Sequence, residues 1–167
     1  MGLYGCAGGV IVSNDLSWVS IGDCFVSVFS SSGELKFVSP DGLENFQSYI
    51  SKHSAFWRDP KRRIYIRSQF RNNPQQIING RCAGYGALTG EKNAEYFIKS
   101  GRTEVSSGDI IIFYTDGFGR LTKNRNAFSY LKTIFYRPKN FLVFDQKLAK
   151  SNYGTFGRER TLIAILN

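Results

Sequence analysis

The first part of the chain is a series of short apolar stretches separated by turn residues. Residues 9–13, 16–21, 25–28 and 34–38 are apolar or alternate between apolar and polar positions, and Asn14-Asp15, Gly22-Asp23 and residues 30–33 interrupt them. This pattern is typical of β-strands joined by tight turns, and it predicts an antiparallel meander. Because residues 16–21 are partly apolar on both faces, we expect that strand to be buried on both sides.

The pattern changes to a helical one after residues 40–42. One face of residues 43–54 carries four large apolar or aromatic side chains at helical spacing, which predicts a helix; they are Leu43, Phe46, Tyr49 and Ile50. Residues 58–80 are basic and close with Asn72-Asn73-Pro74. They indicate either a loop or an insertion that contains a helix.

The second half of the chain returns to strands. Residues 95–99, 110–114 and 161–166 have strand-like patterns, and residues 126–135 and 140–149 have amphipathic helical ones. The glycines at positions 84, 86 and 90 favour tight turns over a phosphate-binding loop, since no GxGxxG or GxxxxGK[ST] motif accompanies them. Early strands followed by helices between later strands predict a single α+β domain over residues 1–167.

Positive charge is concentrated in two blocks. The net charge is +9; residues 58–71 carry six basic side chains against Asp59 alone, and residues 117–167 carry ten against two acidic ones. Such blocks either attract an anionic partner or form solvated helix surfaces. No nucleic-acid-binding motif accompanies them, so we expect nucleic acid not to be the partner.

Other features limit the cellular setting. No apolar run approaches the ~20 residues that a membrane helix needs, and the N-terminus lacks a signal-peptide pattern. Three cysteines without a CxxC pair support neither a disulfide framework nor a zinc site. We therefore expect a cytoplasmic protein that does not bind membranes.

Two carboxylates occupy similar positions at strand ends. Asp23 lies in Ile-Gly-Asp-Cys at a break between strands, and Asp116 follows residues 110–114 directly in Tyr-Thr-Asp-Gly. Carboxylates on rigid strand ends suit a hard cation such as Mg²⁺ or Mn²⁺. An Asp-Gly pair after a strand is also a common turn, so the pattern alone leaves both interpretations open.

Four segments resemble, in order, motifs of one enzyme family. They are LSWVSIGDC at 16–24, GYGALTGE at 84–91, GDIIIFYTDGF at 108–118 and GRERTLI at 157–163. Together they resemble the C-terminal two-thirds of the PPM-type (type 2C) metal-dependent protein serine/threonine phosphatases. The resemblance implies an antiparallel β-sandwich flanked by helices, which binds Mg²⁺ or Mn²⁺ and hydrolyses phosphate monoesters of phosphoproteins through a metal-bound water. It makes Asp116 a core metal ligand and Asp23 a ligand of an additional, weaker metal.

The chain also departs from the family pattern. The early metal motif of the family has no counterpart, so we expect the N-terminal part of the fold to be missing. Arg158 stands where the family has its last metal-binding aspartate, and Glu159, the remaining candidate ligand, is shifted by one residue, which on a strand reverses the side chain's face. We therefore expect a weak or incomplete metal site and little activity from the chain alone.

These departures lead to an alternative function and to a prediction about partners. The alternative is a catalytically degenerate family member that acts as a regulatory module and binds phosphate or a phosphorylated partner through Arg62 and Arg158. Missing strands would also leave sheet edges open. We therefore expect either a homodimer or a partner strand that completes the sheet.

Overall fold

The computed structural model describes residues 5–54, 58–116 and 161–167. These residues form a mixed α+β structure, mostly β, as the sequence predicts. The strands are β1 (Cys6–Val12), β2 (Asp15–Ile21), β3 (Cys24–Phe29), β4 (Leu35–Val38), β5 (Ile77–Ile78), β6 (Arg81–Cys82), β7 (Lys99–Glu104), β8 (Ile110–Thr115) and β9 (Leu162–Leu166). The helices are α1 (Glu44–Lys52), α2 (Pro60–Phe70) and a 3₁₀ helix over Lys92–Phe97.

The strands form three antiparallel sheets. Their orders are β1-β2-β7, β4-β3-β8-β9 and the short pair β5-β6. The predicted meander is therefore wrong at one point, because β2 and β3 follow each other in the chain but lie in different sheets. The chain changes sheet at Gly22, whose φ of +75° is a conformation that favours glycine.

The two larger sheets share one hydrophobic cluster. Leu16 and Trp18 of β2 belong to it together with Val26 of β3 and Ile111 of β8. All six residues of β3 are buried. The prediction that residues 16–21 are buried on both faces is wrong in part, because Val19 is 39% exposed.

A second cluster joins the two α-helices to the segment around Tyr85. Phe46 of α1 and Phe70 of α2 contact each other, with ring centroids 5.3 Å apart, and Phe46 also contacts Tyr85 at 4.6 Å. The basic insertion thus contains a helix, one of the two predicted alternatives. Asp59 caps that helix by accepting the Lys61 N–H at 2.9 Å, and proline occupies its first position.

The strand predicted at residues 95–99 is wrong. Residues Lys92–Phe97 form a 3₁₀ helix, and the strand begins only at Lys99. Ala94 and Phe97 are buried against Ile21, and their three-residue spacing is that of a 3₁₀ helix. The real strand, β7, has the polar sequence KSGRTE and so carries no apolar pattern.

Other predictions agree with the structure or lie outside it. The strand predictions at residues 9–13, 25–28, 34–38, 110–114 and 161–166 and the helix prediction at residues 43–54 are confirmed within a few residues at each end. The helices predicted at 126–135 and 140–149 lie outside the described residues. In the described parts of the chain, no helix is both long and apolar enough to cross a membrane.

Candidate metal centre

Asp23 and Asp116 lie side by side at one end of the four-stranded sheet. Asp23 immediately precedes β3 and Asp116 immediately follows β8, and these strands are antiparallel neighbours in which Cys24 pairs with Thr115. The Asp116 N–H donates a hydrogen bond to the Asp23 carbonyl oxygen at 3.0 Å. The fold therefore brings the backbones of these two aspartates, which the sequence singled out at separate strand ends, into contact at one end of the sheet.

Glycine lets the backbone approach these carboxylates closely. A Cβ atom on Gly5 would lie 2.9 Å from an Asp23 carboxylate oxygen and 2.8 Å from the Cys24 sulfur. Gly22 directly precedes Asp23 and is also closely packed. A Cβ atom on Gly22 would lie 3.2 Å from both the Gly5 Cα and the Gly86 carbonyl oxygen. A side chain at Gly5 would thus fill the space beside the Asp23 carboxylate.

The environment of this sheet end shifts the pKa of the Cys24 thiol. Burial, followed by the nearby charge of Asp23 and smaller contributions from Cys6 and Asp116, raises the pKa of the Cys24 thiol to about 12. The thiol therefore stays protonated at neutral pH and is not a nucleophile, because the thiolate is the reactive form. Both carboxylates contribute to this shift, Asp23 more than Asp116, so the thiol lies within electrostatic reach of each.

The type of donor at this site fits Mg²⁺ or Mn²⁺, but the number of donors is small. Both side chains are carboxylates, the hard oxygen ligands that these cations prefer. Among residues 5–54, 58–116 and 161–167, no group of three or more His, Cys, Asp or Glu side chains could hold a metal. Arg158 and Glu159 lie outside these ranges. The described residues thus offer two carboxylates at this sheet end and no third His, Cys, Asp or Glu side chain grouped with them.

Tyr85 is hydrogen-bonded to the C-terminal part of α2. The ring is buried, its hydroxyl donates a long hydrogen bond to the Arg67 carbonyl oxygen at 3.5 Å, and burial raises the pKa of the phenol to about 12. The positive charges of Arg67 and Arg71 lower the pKa of the phenol, while the negative charges of Asp23 and Glu91 raise it further. Tyr85 is therefore within electrostatic reach of both the arginines of α2 and the Asp23 carboxylate.

Asn72 holds the glycine-containing segment against α2. It is buried with φ at +48°, its side-chain oxygen accepts the Ala87 N–H at 2.8 Å, and its amide donates to the Ala87 carbonyl oxygen at 2.9 Å. The same amide donates to Thr89 and to the Glu91 carboxylate, which also pairs with Arg71 at 2.8 Å. These hydrogen bonds, led by that of Asn72, lower the pKa of Glu91.

The role of Asn72 was not predicted, because Asn72-Asn73-Pro74 indicated only the end of the basic segment. The one available signal was an asparagine directly after a helical stretch, a residue type that adopts the left-handed conformation more readily than most. The sequence favoured tight turns for the glycines of the 84–91 segment. Gly90 has a φ of +81° and nothing within 4 Å of a Cβ, whereas Gly86 serves close packing, because a Cβ there would lie 2.5 Å from Phe97.

Arg62, predicted to bind phosphate, lies in a separate cleft between α1 and α2. The cleft has a volume of about 360 Å³ and is also lined by Tyr49, His53, Tyr65 and Ile66. Arg62 is exposed and pairs with Asp59 at 3.6 Å. The structure therefore places Arg62 with the helix pair, whereas Asp23 and Asp116 lie at the sheet end. Arg158, the other predicted phosphate ligand, is outside the described residues.

No family model matches this chain, and no curated protein sequence is significantly similar to it.

Proposed function

We propose that this chain is a metal-dependent phosphatase domain of the PPM type, acting on phosphate monoesters of phosphoproteins, with Asp116 and Asp23 as ligands of Mg²⁺ or Mn²⁺. The observation that carries the proposal is the pairing of β3 with β8, which puts both carboxylates at one sheet end. The two motifs that resemble the family therefore converge in space, although they are far apart in the chain. The shared core of the two antiparallel sheets also suits the sandwich that the resemblance implies.

The chain's own residues would position the cation and keep competing chemistry out. Asp116 is attached to the end of a buried strand, which limits the positions that its carboxylate can take. Gly5 leaves room beside Asp23, and the protonated Cys24 thiol cannot compete as a nucleophile. Cations bound at such a site supply a water of lowered pKa and neutralise charge on the phosphoryl oxygens.

The test is Mn²⁺ binding and hydrolysis of p-nitrophenyl phosphate by the full chain. Asp116→Asn and Asp23→Asn remove a carboxylate charge with little change of shape, and Asp15→Asn is the control, because Asp15 is an exposed residue at the opposite end of β2 from Gly22. We expect Mn²⁺ binding weaker than micromolar and slow hydrolysis. Asp116→Asn should weaken both by about tenfold or more, and Asp15→Asn should leave both unchanged. Equal Mn²⁺ affinity in the wild type and Asp116→Asn would refute the proposal.

The second candidate is a regulatory module that binds a phosphorylated partner without hydrolysis. Arg67 and Arg71 favour it, because both guanidinium groups lie within electrostatic reach of Tyr85, as does Asp23, and guanidinium groups hold phosphate without a metal. A phosphoserine peptide that binds in EDTA and is not hydrolysed in Mn²⁺ would support this candidate. Arg67→Gln should then weaken binding, whereas Asp116→Asn should not.

A further inference from the structure

The turn between β5 and β6 consists of an asparagine followed by a glycine. Asn79 and Gly80 connect the two strands, and their φ values are +50° and +73°. Positive φ at both central positions defines a type I′ hairpin turn, for which Asn-Gly is a preferred pair. Both residues are exposed. The turn therefore presents an asparagine side chain and the following backbone N–H to water.

The Asn79 side chain and the Gly80 nitrogen can react with each other. A bond from that nitrogen to the Asn79 Cγ closes a five-membered ring. Glycine has no Cβ to hinder the approach, and a Cβ on Gly80 would meet nothing within 4 Å. The strand pairing ends at Ile78 and Arg81, so the Gly80 N–H lies outside the hydrogen-bonded ladder.

The hairpin that carries this turn is short and is held at its base. It contains two residue pairs, and so short a ladder is marginally stable by itself. Below it, the Ala83 N–H donates a hydrogen bond to the Gln76 carbonyl oxygen at 2.8 Å, and Ile78 packs against the cluster of the two α-helices. We therefore expect the tip to open locally while the base stays folded. Opening frees the Asn79 backbone to rotate toward the geometry that ring closure needs.

We propose that Asn79 is a site of spontaneous deamidation. The Gly80 nitrogen attacks the Asn79 Cγ and loses its proton to solvent, the Cγ–Nδ2 bond breaks, and ammonia leaves. Water then opens the cyclic succinimide. Opening at Cγ gives aspartate, and opening at the backbone carbonyl carbon gives isoaspartate. The reaction needs only water, and the inference is independent of the proposed phosphatase activity.

Both products alter the hairpin. Each adds one negative charge next to the exposed Arg81. Isoaspartate also inserts a methylene group into the main chain, so the turn no longer sets the register between Ile78 and Arg81. Because Ile78 packs against the cluster that contains Phe46 and Phe70, we expect the isoaspartate form to unfold at a lower urea concentration than the asparagine form.

The test incubates the full chain in mildly alkaline buffer and follows the peptides that contain asparagine by mass spectrometry. Deamidation adds about 1 Da, and an isoaspartate-specific carboxyl methyltransferase labels the isoaspartate product. Asn14 is the internal control, because it is also exposed at a hairpin turn, between β1 and β2, but precedes Asp15 instead of a glycine. We expect Asn79 to deamidate at least about tenfold faster than Asn14.

A synthetic peptide with the sequence of residues 76–83 gives the rate without the fold. We expect Asn79 of the full chain to react within about a hundredfold of the peptide rate, because the short hairpin opens readily. A larger protection factor would overturn the proposal, since the folded turn would then hold Asn79 unreactive. Equal rates at Asn79 and Asn14 would also overturn it, because the glycine would make no difference. An unchanged urea midpoint in the isolated isoaspartate form would overturn the expected effect on the hairpin.

Discussion

Replacing Asn72 by alanine should strongly destabilise this protein. The side chain forms two hydrogen bonds with the buried backbone of Ala87, at 2.8 and 2.9 Å. Truncation leaves both backbone groups without that partner in a place from which water is excluded, which costs about 1–3 kcal/mol per group. Alanine at a φ of +48° adds about 1 kcal/mol of backbone strain. We expect a total loss of about 3–7 kcal/mol from the free energy of unfolding.

Asn79 provides a matched control for the backbone contribution. It has a φ of +50° and is exposed, so Asn79→Ala should cost only the strain of about 1 kcal/mol. Asn72→Gly removes the side chain but tolerates the left-handed conformation, and it should recover about 1 kcal/mol relative to Asn72→Ala. The two comparisons separate the hydrogen-bond contribution from the strain.

Urea unfolding followed by tryptophan fluorescence measures these differences. For a chain of 167 residues, a loss of about 3–7 kcal/mol corresponds to a fall of about 10–20 °C in Tm, so thermal unfolding gives a second measurement. If Asn72→Ala costs no more than Asn79→Ala, the hydrogen bonds to Ala87 contribute nothing net. The segment around Tyr85 would then be held by apolar packing alone.

Three further outcomes follow from single positions. Gly86→Ala places a Cβ 2.5 Å from its nearest neighbour and should lower the free energy of unfolding in urea by about 2 kcal/mol. A Cβ on Gly8 would have nothing within 4 Å, so Gly8→Ala should leave that free energy unchanged. Equal losses in the two variants would contradict the close packing at Gly86. Hydrogen bonds from neighbouring amide and guanidinium groups hold the pKa of Glu91 below its ordinary 4.5, so the stability they add is complete above that pH and is lost as the pH falls through the lowered pKa. Glu91→Gln should therefore flatten the acid side of a stability–pH profile, and an unchanged profile would refute this. Because the buried Cys24 thiol has a pKa near 12 while Cys6 is exposed, iodoacetamide at pH 8 should modify Cys6 much faster, as mass spectrometry of tryptic peptides would show; equal rates would contradict the burial.

Local sequence patterns were sufficient for most of the strands. The β-branched and aromatic run of β8, IIIFYT, prefers a strand wherever it is buried, and Gly22-Asp23 marks a chain reversal by its own conformational preference. The same local signals singled out Asp23 and Asp116, because each stands where an apolar run ends. They could not show that the two carboxylates meet, since a strand does not specify its neighbour.

Tertiary contacts decided the features that the sequence analysis missed. Residues 92–97 form a 3₁₀ helix because Ala94 and Phe97 pack on Ile21, and β7 is a strand because β2 pairs with it, although its own sequence is polar. The Asn72 side chain contributes to stability because the fold places the Ala87 backbone within hydrogen-bond distance of it.

The same division applies to the candidate metal centre and to the placement of the strands. Sequence alone determined an α+β domain, the approximate strands and two carboxylates at strand ends, because these depend on residues close together in the chain. The side-by-side placement of Asp23 and Asp116, the assignment of β2 and β3 to different sheets and the exposure of Ile163 depend on how sheets stack and which strands pair. Those choices depend on contacts between residues far apart in the chain, whose free energy is gained only once the whole core is assembled.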